Sequence, residues 1–189
     1  MKIRLVFVVP WLIAIAPGLF AQERPVLNAA IVTNFIENMA SMDEAFFDIE
    51  EESDYLNFMT EIDKFSESLM VYLEGGSDDF SAFRTAFIRV KNVRAPNVER
   101  VLTKFGLGQR GIEAFFVILL GMTISLMEDR FEAALSNADP DALNNMDTED
   151  LRRLEEVQDK FVMLRGLIHP EDMAVLENDR EALRQLLLK

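Results

Sequence analysis

Fourteen consecutive residues, Ala114 to Met127, carry no charge, and that run constrains the fold more than any other stretch of the chain. Glu113 bounds it on one side and Glu128 and Asp129 on the other. At about 1.5 Å per residue a helix of this length measures about 21 Å, short of the hydrocarbon core of a bilayer at about 30 Å. A helix apolar on every side has to be covered on every side. The run therefore predicts a central helix, over about 109–137, with the rest of the chain packed on it. Gly121, in its middle, leaves room for a neighbouring helix to come close. A second reading of the same run is a helix that docks into a membrane or a partner.

Apolar residues recur at helical spacing along nearly all the remaining sequence. A first helix is predicted over about 26–40, entered at Pro25, with Val32, Ile36 and Met39 on one side. A second begins near 43 or 54 and runs to 74, with Tyr55, Phe58, Ile62, Phe65 and Leu69 on its stripe. Gly75 and Gly76 stop it, and Ser77 caps a third with Asp78 and Asp79 in its first turn. Pro96 opens a fourth that ends at Gly106. After the central helix, with Pro140 in the next turn, Thr148 starts a sixth with Leu151, Leu154, Val157, Phe161 and Leu164 at helical spacing. Pro170 opens a last segment to Leu188, with a possible break at Asn178–Asp179. No run alternates with period two and no hairpin turn is present. The expectation is all-α: a single-domain bundle of about six or seven helices, residues 22–189.

Residues 1–21 have the layout of a cleavable signal peptide. Lys2 and Arg4 precede an apolar run that reaches Phe20, and Ala21 supplies a small residue at the cut. Pro17 and Gly18 break the helix just before that point. The rival reading is an uncleaved anchor, since roughly 18 apolar residues almost span a bilayer. Cleavage leaves 17 basic and 33 acidic side chains, a formal charge of −16. There is no cysteine, so an exported form has no disulfides and rests on packing alone. That combination points to a bacterial periplasm, with secretion as the alternative.

The charge is segregated. Residues 37–79 hold 14 acids and one base, Lys64; residues 84–110 hold seven bases and one acid, Glu99. Either the two blocks pair internally, or Arg84, Arg89, Lys91, Arg94, Arg100 and Lys104 form a basic docking patch, with Arg110 beyond it, on an acidic body. Such a patch suits another envelope protein or an anionic surface, including peripheral contact with a membrane. Nucleic acid is excluded by the overall negative charge.

Motifs for chemistry are thin. Gly106-Leu-Gly-Gln-Arg-Gly111 matches G-x-G-x-x-G, but that fingerprint needs a strand before it, and Val98 to Phe105 reads as helix. His169 is the only histidine, beside Pro170, and reads as a cap; with no cysteine to help, it cannot build a zinc site. Asp48-Ile-Glu-Glu-Glu-Ser-Asp54 is dense in acid but lacks the ligand alternation and central glycine of a calcium loop. No G-x-S-x-G is present. No catalytic residue, cofactor or metal is therefore expected.

These readings favour an exported, acidic, non-enzymatic interaction, scaffold or chaperone-like protein. The alternatives are a membrane-associated accessory subunit, held by an uncleaved anchor or by the apolar helix, and a carboxylate-based cell-wall hydrolase. The sole tryptophan, Trp11, lies in the leader. The purified native protein should show tyrosine emission without an indole band; an indole band means the leader is retained.

Overall fold

The computed structural model describes residues 24–74, 80–139 and 146–187, and among them it is all-helical, with eight helices and no strand. These are α1 (Ala29–Phe47), α2 (Ser53–Glu74), α3 (Phe80–Lys91), α4 (Pro96–Lys104), α5 (Gly111–Asn137), α6 (Thr148–Arg165), α7 (Pro170–Asn178) and α8 (Arg180–Leu187). The expected leader, the glycine stop with its Ser77 cap, and the turn at Pro140 lie outside the described residues. The count is eight because the last segment does break, with Asp179 as the cap between α7 and α8. α1 differs from expectation at both ends. Asn28 caps it, its side chain accepting from the Ile31 N–H at 3.0 Å, so the helix starts after Pro25 and not beside it. It then continues past 40, because Met42 and Phe46 prolong the buried row of Val32 and Phe35 through a polar surface.

The apolar run forms the axis of the bundle. α5 packs on α1, α3, α4, α6, α7 and α8, and its Phe115 and Phe116 reach Phe58 and Phe65 of α2. By length and composition it could cross a membrane, but 61% of its most apolar window is buried by the rest of the protein. Gly121 does what its position suggests. A Cβ there would stand 2.5 Å from Leu176 Cδ1, so α7 crosses α5 where a side chain is missing.

Aromatic rings fill the space between α2, α3 and α5. Phe65 lies 4.6 Å from Phe116, edge to face, and 5.1 Å from Phe83. Tyr72 stacks on Phe83 at 5.6 Å, and burial pushes its hydroxyl pKa up to about 12. α2 and α3 run antiparallel, so the start of α2 lies beside the α3–α4 turn. α6 is more peripheral than its sequence suggests. It fully buries only Leu164, touches α5 through the Phe161–Phe131 pair, and leaves Leu151 half exposed.

Truncating Phe116, whose ring also lies 5.6 Å from Phe87, should cost about 3–5 kcal/mol. Leu151→Ala should change stability by less than about 0.5 kcal/mol. Urea unfolding of the two variants checks the contrast; equal effects would mean that α5 is not the axis.

Candidate functional site

Helix starts carry unpaired N–H donors, and three carboxylates from other elements supply acceptors for such donors or for the extended segment that leads into α1. Ala95 precedes α4 and has no side chain to cap it; Asp54 of α2 reaches across instead, accepting from Asn97 N at 2.7 Å and Asn97 Nδ2 at 2.9 Å. Those bonds, the Asn97 side chain first, hold the Asp54 pKa below its ordinary value. Glu99 of α4 accepts from the Gly111 and Ile112 N–H groups that open α5, yet burial dominates and raises its pKa. Asp172, on the first turn of α7, is buried and takes the Val26 and Leu27 N–H groups on one oxygen at 2.9 and 2.7 Å.

Around the start of α5 lies a partly buried ionic cluster. Lys91, at the end of α3, folds inward to Glu113 at 2.9 Å and lies 5.1 Å from the centre of the Phe87 ring. Arg110 also pairs with Glu113 and donates to the Arg24 carbonyl at 3.1 Å. His169 is the N-cap of α7, its Nδ1 accepting from Glu171 N at 3.2 Å. The Asp172 pKa is raised by burial first, against the two N–H bonds and His169, with Glu113 adding to the rise. A second cluster lies further along α5. Arg165 of α6 forms a two-pronged pair with Glu128 and reaches Glu177, and Arg180 pairs with Asp129 at 2.6 Å. The hydrogen bonds to Glu128 hold the Arg165 pKa well above the ordinary guanidinium value.

The candidate basic patch divides into inner and outer members. Lys91 is spent on Glu113, and Arg84 is partly buried and engaged. Arg89, Arg94, Arg100 and Lys104 are exposed. Arg100 donates to Asn97 Oδ1 at 2.8 Å, and Lys104 lies over the Phe105 ring. Arg89 and Arg94 have no ion-pair partner among the described residues. Arg110, just beyond the patch, belongs to the inner cluster.

Other sequence features have structural explanations. Gly106 and Gly108 both sit at positive φ, +81° and +83°, between two helices, so the glycine-rich segment is a turn and not a strand-to-helix phosphate loop. Among the described residues no three His, Asp or Glu side chains converge to hold a metal ion. An open groove of about 550 Å³ between α2 and α3 is lined by Glu61, Lys64, Ser81, Thr85 and Arg89 with two alanines. No protein-family model matches the chain, and no curated protein or solved structure matches it.

Asp172 has the clearest measurable consequence. Asp172→Ala leaves a buried donor and a half-buried one unmet and should cost about 1–3 kcal/mol; Asp172→Asn keeps one acceptor oxygen and should cost less. Because the folded state raises this pKa, it binds the proton more tightly than the unfolded state does. Stability therefore falls as pH rises from the ordinary carboxylate range through the raised value, and this contribution is constant above it. Urea unfolding across that window should show the slope in the native protein and a flatter profile in Asp172→Asn.

Proposed function

We propose that this is an exported, non-enzymatic interaction protein that docks an anionic partner through the exposed cations at the α3–α4 turn. The carrying observation is that Arg89 and Arg94 stand exposed and without ion-pair partners among the described residues, in a chain of formal charge −14. Arg100 and Lys104, four residues apart, share the outer side of α4 and extend the same surface. Opposite charge on a partner raises the encounter rate and fixes orientation.

The commitment of the inner ionisable groups supports the same reading. Asp172, Glu99 and Asp54 serve backbone donors, and Glu113 serves Lys91 and Arg110. Groups held this way stabilise the bundle and are not available to a partner. Export, with the periplasm as destination, rests on the leader's sequence. The partner is another envelope protein or an anionic surface such as a lipid headgroup layer. A membrane-associated accessory role is the second reading; α5 is long and apolar enough for it by composition, although the bundle buries most of its apolar window.

Reversing Arg89, Arg94, Arg100 and Lys104 to Glu should abolish salt-sensitive capture of envelope proteins and of vesicles rich in phosphatidylglycerol, while leaving the unfolding midpoint nearly unchanged. Capture that is the same before and after reversal removes the proposal. Lys91 is left intact in this test, because its reversal would break a buried ion pair and cost about 3–5 kcal/mol.

A further inference from the structure

Rings close the buried side of the contact between α2 and α3, where Phe65 meets Phe83 and Phe87 at 5.1 and 6.4 Å. The outer side of the same contact stays open. There α3 offers Ala82 and Ala86, which end in a methyl group, and a groove of about 550 Å³ remains. Sites for small ligands span about 300–1,000 Å³. Glu61 and Lys64 of α2 line one wall; Ser81, Thr85 and Arg89 of α3 line the other. Successive members of that second wall are four residues apart, so they share one side of α3.

The lining has hydrogen-bonding capacity left over. Lys64 pairs with Glu61 Oε1, which leaves it further donors, and Glu61 Oε2 has no partner among the described residues. Thr85 spends its hydroxyl hydrogen on the Ser81 carbonyl at 2.8 Å, so its oxygen is left as an acceptor. The Ser81 hydroxyl and the Arg89 guanidinium have no partner among the described residues. Two cations against one carboxylate make the groove net positive. A simple inorganic anion suits the cations but leaves Glu61 facing a like charge. A ligand with hydroxyl groups beside its anionic group answers both kinds of lining. A folded partner needs apolar anchors, and the two alanines are the only apolar residues of the lining.

We infer that this groove binds a phosphorylated polyol, its phosphate held by Arg89 and Lys64 and its hydroxyl groups by Glu61 and Thr85. Such a group occurs free, as in glycerol phosphate, and as the headgroup of phosphatidylglycerol. The inference rests on the anion-docking role proposed for Arg89 and names the chemistry that this arginine takes.

Titration calorimetry of the purified chain with glycerol 1-phosphate, and separately with inorganic phosphate, tests it. Glycerol 1-phosphate should saturate one site per chain and bind at least about tenfold more tightly than phosphate. Arg89→Gln should weaken that binding at least about tenfold. Glu61→Ala should erase the preference over phosphate. Ala82→Leu alters no charge, fills the groove and should abolish binding. Circular dichroism and the unfolding midpoint, unchanged in each variant, show that the fold is retained. Vesicles of phosphatidylglycerol and of phosphatidylserine, matched in charge, separate the two sources. A preference for phosphatidylglycerol that Ala82→Leu removes assigns the headgroup; tight glycerol 1-phosphate binding without that preference assigns the free compound. The inference is overturned when glycerol 1-phosphate binds no tighter than phosphate and the vesicles show no preference, or when binding ignores Arg89→Gln and Ala82→Leu. If it is overturned while capture of envelope proteins still responds to reversal of Arg94, Arg100 and Lys104, the docking role stands without it. If the groove binds as expected while capture ignores charge reversal, the groove stands as a small-ligand site and the docking surface falls.

Discussion

Carboxylates that serve backbone donors of other elements hold this fold in register. Helix termini expose N–H groups that local side chains usually satisfy. Here Ala95 and Arg110 provide no side-chain cap for α4 and α5, and Asp54 and Glu99 act instead from neighbouring helices. Asp172 does the equivalent for the segment leading into α1. Each bond fixes one helix end against another element, so it sets relative position as well as satisfying a donor. Without disulfides, the chain relies on such cross-links together with close packing.

The axis helix makes those cross-links necessary. A helix covered on all sides has few places where polar groups reach water, and α5 confines its charges to the ends of its buried part. Glu113 binds Lys91 and Arg110 at one end; Glu128 and Asp129 bind Arg165 and Arg180 at the other. Between them the side chains are almost wholly apolar, with Thr123 bonded back to the Leu119 carbonyl at 2.9 Å. This arrangement fixes how far α5 can slide along the bundle, because a shift of one turn would separate both sets of charges.

Features with a local physical signature were legible in the sequence. The opening of α4 at Pro96, the buried run of α5, the close crossing at Gly121, the break after Asn178 and the capping role of His169 each depend on residue types at short spacing. The features that escaped depend on long-range placement. Acids are so numerous that nothing distinguishes Asp172, Glu99 or Asp54 from solvent-facing neighbours until the helices are assembled. Lys91 likewise looks like any other member of the basic block, and only its position at the end of α3 turns it inward to Glu113. α6 has a stripe of helical spacing but reaches only the distal half of α5, so its first apolar residue, Leu151, stays at the surface.

The Asp172 clasp also has a consequence for the order in which the chain can assemble. Val26 and Leu27 are among the first described residues, and their acceptor lies 146 and 145 positions later. A chain that emerges from one end must expose almost its whole length before that bond can close, and closing so long a loop is slow. The entry to α1 therefore stays untied through most of synthesis. The bundle becomes fully locked only when α7 arrives, so a growing chain remains loose until nearly all of it has been made.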